Sequence, residues 1–108
     1  MSNPPTEGPL VSQYADDADM LDLIELFVAE LPGRIEALDD ALAGGDLQRL
    51  GALAHQLKGA GGGYGYPSIT DTARQLEHLT ADGSADLDAV QRHVHNLADL
   101  CRRAAAGV

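Results

Sequence analysis

The chain has 108 residues, with 17 acidic and 7 basic side chains and a formal net charge of −10. This length fits one domain. The acidity argues against nucleic acid and against anionic membranes as partners, because both are bound through clustered lysine and arginine. The single cysteine, Cys101, excludes an internal disulfide and fits a reducing compartment, so a cytoplasmic location is expected.

The N-terminal residues show no basic stretch followed by an apolar run, so no secretory signal is predicted. Residues 1–9, with prolines and a glycine, are predicted to form a disordered leader. The domain is expected to span residues 10–108, beginning with a short segment around Leu10–Tyr14 that packs against it. No apolar stretch approaches the roughly 20 residues that cross a bilayer, so no membrane span is predicted.

Apolar residues recur at steps of three and four from Met20 to Leu42, which predicts a long amphipathic helix. They are Met20, Leu21, Leu23, Ile24, Phe27, Val28, Leu31, Ile35, Leu38 and Leu42. Pro32 lies inside this pattern, so the helix is expected to kink there or to restart with Pro32 in its first turn. A glycine pair before Asp46 is expected to end the helix, and Asp46 to cap the next one.

The apolar residues of the second predicted helix share one side: Leu47, Leu50, Leu53, Ala54 and Leu57. At about 100° per residue, His55 points away from them. Its neighbours on the helix surface are nearly all small, apart from one lysine: Gln48, Gly51, Ala52, Lys58, Gly59 and Gly62. Three successive glycines at 61–63 predict a looser helix end, because glycine costs about 1 kcal/mol relative to alanine in a helix interior.

Two further helices are predicted. Pro67 suits the first turn of one, with these residues inward: Ile69, Ala73, Leu76 and Leu79. After a turn at residues 81–85, the other carries an apolar stripe of Leu87, Val90, Val94, Leu97 and Cys101. Four amphipathic helices with short loops predict an all-α fold. It is an antiparallel up-down-up-down four-helix bundle with a short extra N-terminal helical segment.

His55 is the main candidate for chemistry, although a lone histidine on a helix is usually a surface residue without a function. Two features favour a function. The small residues around His55 suit a surface that another protein approaches closely. Lys58, one turn away, is poorly placed to hold an imidazolium, so the pair fits a neutral, nucleophilic histidine and a lysine that later faces an anion.

Other kinds of site find little support. The glycine run Gly59–Tyr64 lacks the last glycine of G-x-G-x-x-G, and neither a preceding strand nor a P-loop sequence accompanies it, so no ATP site is expected. The remaining histidines lack metal-site spacing, and neither a metal nor a cofactor site is predicted. No second catalytic group is expected beside His55, which argues against an enzyme with its own active site.

The sequence His55-Gln56-Leu57-Lys58-Gly59, followed by Gly65 and Leu76-Glu77, resembles the histidine-containing phosphotransfer (HPt) domain of two-component phosphorelays. The resemblance implies that His55 is the phosphoacceptor, through its outer ring nitrogen, and that Lys58 steadies the phosphoryl group. It also implies that Gly59 leaves room for a partner and that Gly65 lets the chain turn closely between helices.

The implied partner is a response-regulator receiver domain, a hybrid histidine kinase, or both, with Mg²⁺ held by the receiver. The residues expected to dock it are Gln48, Gly51, Ala52, Gly59 and Gly62. The alternative is a helical docking module that binds a response regulator or kinase without phosphate transfer. A monomer is expected, and the start at Met1 favours a free-standing transmitter over a domain cut from a larger kinase.

Overall fold

The structure is a computed structural model, and it describes residues 8–81 and 86–106. In these ranges it contains four helices and no strand: α1 (Ala18–Ala43), α2 (Leu47–Gly63), α3 (Pro67–Ala81) and α4 (Leu87–Ala106). Both α1 and α3 pack on α2 and α4, which closes the helices around one core. The predicted all-α four-helix bundle is therefore confirmed. Most of the predicted leader (residues 1–7) and most of the predicted turn (residues 82–85) lie outside the described residues.

The helices α1 and α2 are more regular than the sequence predicted. The helix α1 continues unbroken through Pro32, so no restart occurs there. Pro32 is exposed, and its ring removes a single backbone hydrogen bond from a helix held by its buried stripe. The helix α2 continues through Gly61–Gly63, and the prediction of a looser helix end is wrong.

Two glycines reverse the chain after α1 and α2. Gly45 and Gly65 have φ values of 67° and 87°, in the left-handed region that glycine adopts without strain. Beyond Gly65, the N–H of Tyr66 donates to the carbonyl of Gly61 at 2.7 Å, which is the long hydrogen bond of a Schellman helix end. The short reversal fixes how α3 returns along α2.

The core consists mainly of the residues predicted to point inward, with three exceptions. Leu21, Leu23 and Leu87 are 39%, 45% and 65% exposed. The two α1 leucines flank its buried stripe, and Leu87 is the first residue of α4, at the end of the bundle. Phe27 stacks on Tyr64 with ring centroids 4.8 Å apart, so aromatic packing closes the core near the α2–α3 turn.

The segment before α1 packs on the bundle but is not helical. The N–H of Leu10 donates to the carbonyl of Arg103 at 2.8 Å, and the N–H of Gln13 donates to the carbonyl of Gly65 at 2.9 Å. Residues 13–16 form a turn rather than a helix. The predicted extra helical segment is therefore an ordered, non-helical strap. Leu10 and Gln13 bond to the bundle, and within the segment only turn-type bonds form, from Ala15 to Ser12 and from Asp17 to Tyr14.

Candidate functional site

His55 lies on the outer side of α2, and its side chain is 68% exposed. Its Nδ1 atom is 2.9 Å from Oε2 of Glu77, which lies on α3. The other oxygen of that carboxylate, Oε1, is 2.7 Å from Nζ of Lys58. A single carboxylate therefore contacts two side chains that lie one helical turn apart on α2.

The α2–α3 hairpin brings these three side chains together. These two helices make the most extensive contact between any two helices of the bundle. His55 lies eleven residues before Tyr66 at the turn, and Glu77 lies eleven residues after it. Positions equidistant from the turn of an antiparallel pair of helices lie at the same height, so Glu77 stands beside His55.

The lowered pKa of Glu77 defines the charge state of the site. The hydrogen bond from Lys58 is the main cause of the lowered pKa. Partial loss of solvent around Glu77 raises the pKa, and the hydrogen bond from His55 lowers it. The carboxylate is therefore ionised at neutral pH and accepts hydrogen bonds only. In a neutral imidazole, the proton then lies on Nδ1 and the lone pair lies on Nε2.

Glu77 is a neighbour of His55 that the sequence did not reveal. The resemblance included Leu76-Glu77, but periodicity along single helices did not place that glutamate next to the histidine. The available signal was the equal spacing of the two residues from the turn. That signal identifies Glu77 only once the two helices are known to pair in an antiparallel way.

The residues predicted to dock a partner fall on both sides of His55. Gln48, Gly51 and Ala52 line a groove of about 500 Å³ between α2 and α3, and His55 also lines it. Gly59 and Gly62 lie beyond His55 in the other direction along α2, and both are exposed. The exposed imidazole thus has the groove on one side and the glycine surface of Gly59 and Gly62 on the other.

Packing against α3 accounts for two of the glycines on α2. A Cβ atom at Gly61 would lie 2.8 Å from Oγ1 of Thr70 and 3.1 Å from its backbone nitrogen. A Cβ atom at Gly51 would lie 2.8 Å from Oγ1 of Thr80. At Gly59, in contrast, it would meet nothing within 4 Å. The lack of a side chain at Gly59 therefore serves no contact within the described chain.

The described residues contain neither a metal-binding cluster nor a membrane-spanning helix. Among them, no three histidine, cysteine, aspartate or glutamate side chains are grouped to hold a metal ion. None of their helices is long and apolar enough to span a membrane.

These features define a helical-bundle protein with an exposed histidine that contacts a carboxylate, whose other oxygen contacts a lysine. The model of the Hpt domain family matches residues 22–107, a range that contains all three side chains. The chain belongs to the Hpt domain family, which implies histidine phosphotransfer in phosphorelays and interaction with receiver domains. No curated protein and no solved structure matches the chain.

Proposed function

We propose that this protein is a phosphorelay intermediate that accepts a phosphoryl group on Nε2 of His55 from a receiver aspartyl phosphate. It then passes the group to the aspartate of another receiver. The observation that carries the proposal is the Nδ1–Glu77 contact of 2.9 Å in an exposed imidazole, because it leaves the Nε2 lone pair for a partner. Membership of the Hpt domain family supports the same reading.

The transfer conserves charge without an added proton. The Nε2 lone pair attacks phosphorus, and the bond from phosphorus to the aspartate oxygen breaks with its electron pair going to the carboxylate. Nδ1 keeps its proton, so the phosphorylated ring carries a positive charge next to the Glu77 carboxylate. Phosphoryl transfer otherwise needs an in-line approach and charge stabilisation, and Lys58 offers a positive charge one turn from His55.

The remaining chemical groups would come from the partner. Mg²⁺ would be held by the receiver domain together with the aspartate that carries or accepts the phosphoryl group. The phosphoryl group would come from that phosphoprotein and not from ATP bound to this chain. The protein is thus a carrier whose chemistry is shared with a receiver.

The partner would cover both sides of the acceptor histidine. The groove beside Gln48, Gly51 and Ala52 can receive partner side chains, and Gly59 with Gly62 permits close approach of the partner backbone. A surface of this kind brings the receiver aspartate to His55 at the distance that in-line transfer requires.

The test is transfer of radiolabelled phosphate from a phosphorylated receiver domain. The wild type and the control His78→Gln, which removes an exposed histidine of α3, are expected to take up label that is labile in acid and stable in base. His55→Gln is expected to take up none. Equal labelling of His55→Gln would contradict the proposal, and receiver binding without any labelling of the wild type would favour the docking-module alternative.

A further inference from the structure

Lys58 is the only lysine of the chain, and its charge is already paired. Its Nζ atom is 2.7 Å from Oε1 of Glu77, and its side chain is 31% exposed. The lysine that is expected to steady a phosphoryl group therefore starts from a contact with a competing anion. The net contribution of Lys58 to holding the phosphoryl group therefore depends on the free energy of its contact with Glu77.

We infer that Lys58 exchanges partners when His55 is phosphorylated: its ammonium group moves from the Glu77 carboxylate to the phosphoryl group. Because Glu77 competes for Lys58, Glu77 sets how strongly the protein retains phosphate. Glu77 is a positioning residue in this inference, since it acts through Lys58 and through Nδ1 of His55. The inference rests on the proposed phosphorylation of His55 and adds a control on the equilibrium of that step.

The change in charge at His55 favours the exchange in two ways. In the nucleophilic form of His55, which has a free lone pair on Nε2, Glu77 faces an uncharged N–H of the ring and the charged Lys58. Afterwards the ring is positive on the Nδ1 side, so the carboxylate keeps a cationic partner without the lysine. A phosphoryl group carries close to two negative charges, against one on a carboxylate. The lysine stem is flexible enough to turn its ammonium toward either anion.

The first test is a double-mutant cycle that needs no receiver domain. Potassium phosphoramidate phosphorylates the imidazole: Nε2 attacks phosphorus, the phosphorus–nitrogen bond of the reagent breaks, and ammonia leaves. With ammonium present, ³¹P NMR gives the equilibrium constant for this exchange. The His55 signal is the one that His55→Gln lacks. The proteins compared are the wild type, Lys58→Ala, Glu77→Gln and the double variant. Glutamine can still accept a hydrogen bond from Nδ1 but carries no charge.

The expected result has a defined sign. Lys58→Ala lowers the equilibrium constant both in the wild type and in Glu77→Gln. The factor of this loss is larger in Glu77→Gln, by about threefold or more, because no carboxylate competes for the lysine there. Equal losses in the two backgrounds would overturn the inference. A smaller loss in the Glu77→Gln background would also overturn it, because Glu77 would then be holding Lys58 in place for the phosphoryl group.

The second test follows the ammonium group directly, and a single lysine makes its NMR signal unambiguous. In the unphosphorylated state, the Lys58 ¹⁵N signals of wild type and Glu77→Gln are expected to differ. After phosphorylation they are expected to coincide, because both lysines then face the phosphoryl group. A difference that persists unchanged after phosphorylation would show that Lys58 stays on Glu77.

These outcomes separate the inference from the proposed function. If phosphoramidate fails to label His55, whose side chain is 68% exposed, then His55 is not a reactive acceptor. Both the proposed phosphotransfer and the exchange of partners by Lys58 are then wrong. If His55 is labelled and exchanges phosphate with a receiver while the two lysine losses are equal, the proposed function stands and the exchange of partners does not.

Discussion

At the scale of single residues, Glu77 determines which ring nitrogen of a neutral His55 carries the proton. Its carboxylate accepts from Nδ1 at 2.9 Å and is itself kept ionised by Lys58 at 2.7 Å. An imidazole with its proton fixed on Nδ1 has a single nucleophilic nitrogen. The arrangement therefore decides which nitrogen can react before any partner arrives.

The lowered pKa of Glu77 predicts how this contact depends on pH. A carboxyl group whose pKa is lower in the folded state stabilises that state above its unfolded pKa. The stabilisation is lost as the pH falls through the folded value. We therefore expect the Glu77 carboxyl signal in ¹³C NMR to titrate below the value of glutamate in an unstructured peptide. Lys58→Ala should move that titration upward, because Lys58 is the main cause of the shift. A wild-type titration at the peptide value, or none of this movement, would count against the network.

Tyr66 offers a stability prediction away from the site. Its side chain is 1% exposed, and its hydroxyl group has no hydrogen-bond partner among the described residues. A buried hydroxyl without a partner costs about 1–3 kcal/mol, so Tyr66→Phe is expected to raise the free energy of unfolding by about 1 kcal/mol. Urea denaturation measures this change. A loss of stability would mean that the hydroxyl makes a contact that the described residues do not provide.

At the scale of elements, the α2–α3 hairpin builds the site. Glycine at position 61 lets the two helices approach, and Gly65 with φ of 87° turns the chain back. The close approach brings Glu77 of α3 to the His55 side chain of α2. Within the glycine run, Gly61 therefore serves helix packing, whereas Gly59 leaves the surface open.

Two alanine substitutions on α2 separate these roles. Gly61→Ala places a methyl group against Thr70 and is expected to destabilise the fold by about 1–2 kcal/mol, since overpacking outweighs the better helix propensity of alanine. Gly59→Ala has open space around it and is expected to stabilise the fold by about 0.5–1 kcal/mol. Paired urea denaturation curves give both values. Equal shifts for the two variants would refute the distinction between a packed and an open glycine.

The sequence predicted the elements well and their lateral contacts poorly. Periodic apolar residues located all four helices, and Gly45 and Asp46 marked the boundary between α1 and α2. Periodicity could not show that Gly61 touches Thr70, since that contact depends on the rotation of two helices about their axes. The pairing of His55 with Glu77 was hidden for the same reason.

At the scale of the whole molecule, the net charge of −10 is unevenly distributed. The helix α1 carries seven acids and one base, whereas α2 carries Arg49, Lys58 and no acid. The electrostatic field around His55 is therefore less negative than the total charge implies. In the proposed transfer, a receiver domain that carries an aspartyl phosphate would meet the least repulsive helix of the bundle at the face where His55 is exposed.

The proposed phosphotransfer is tested most directly by locating the phosphoryl group on the ring of His55. Protein labelled with ¹⁵N in histidine is phosphorylated by a receiver domain and examined by NMR for coupling between ³¹P and the ring nitrogens. We expect coupling to Nε2 of His55, with a proton retained on Nδ1. Coupling to Nδ1, or a phosphoryl group on any other residue, would contradict it.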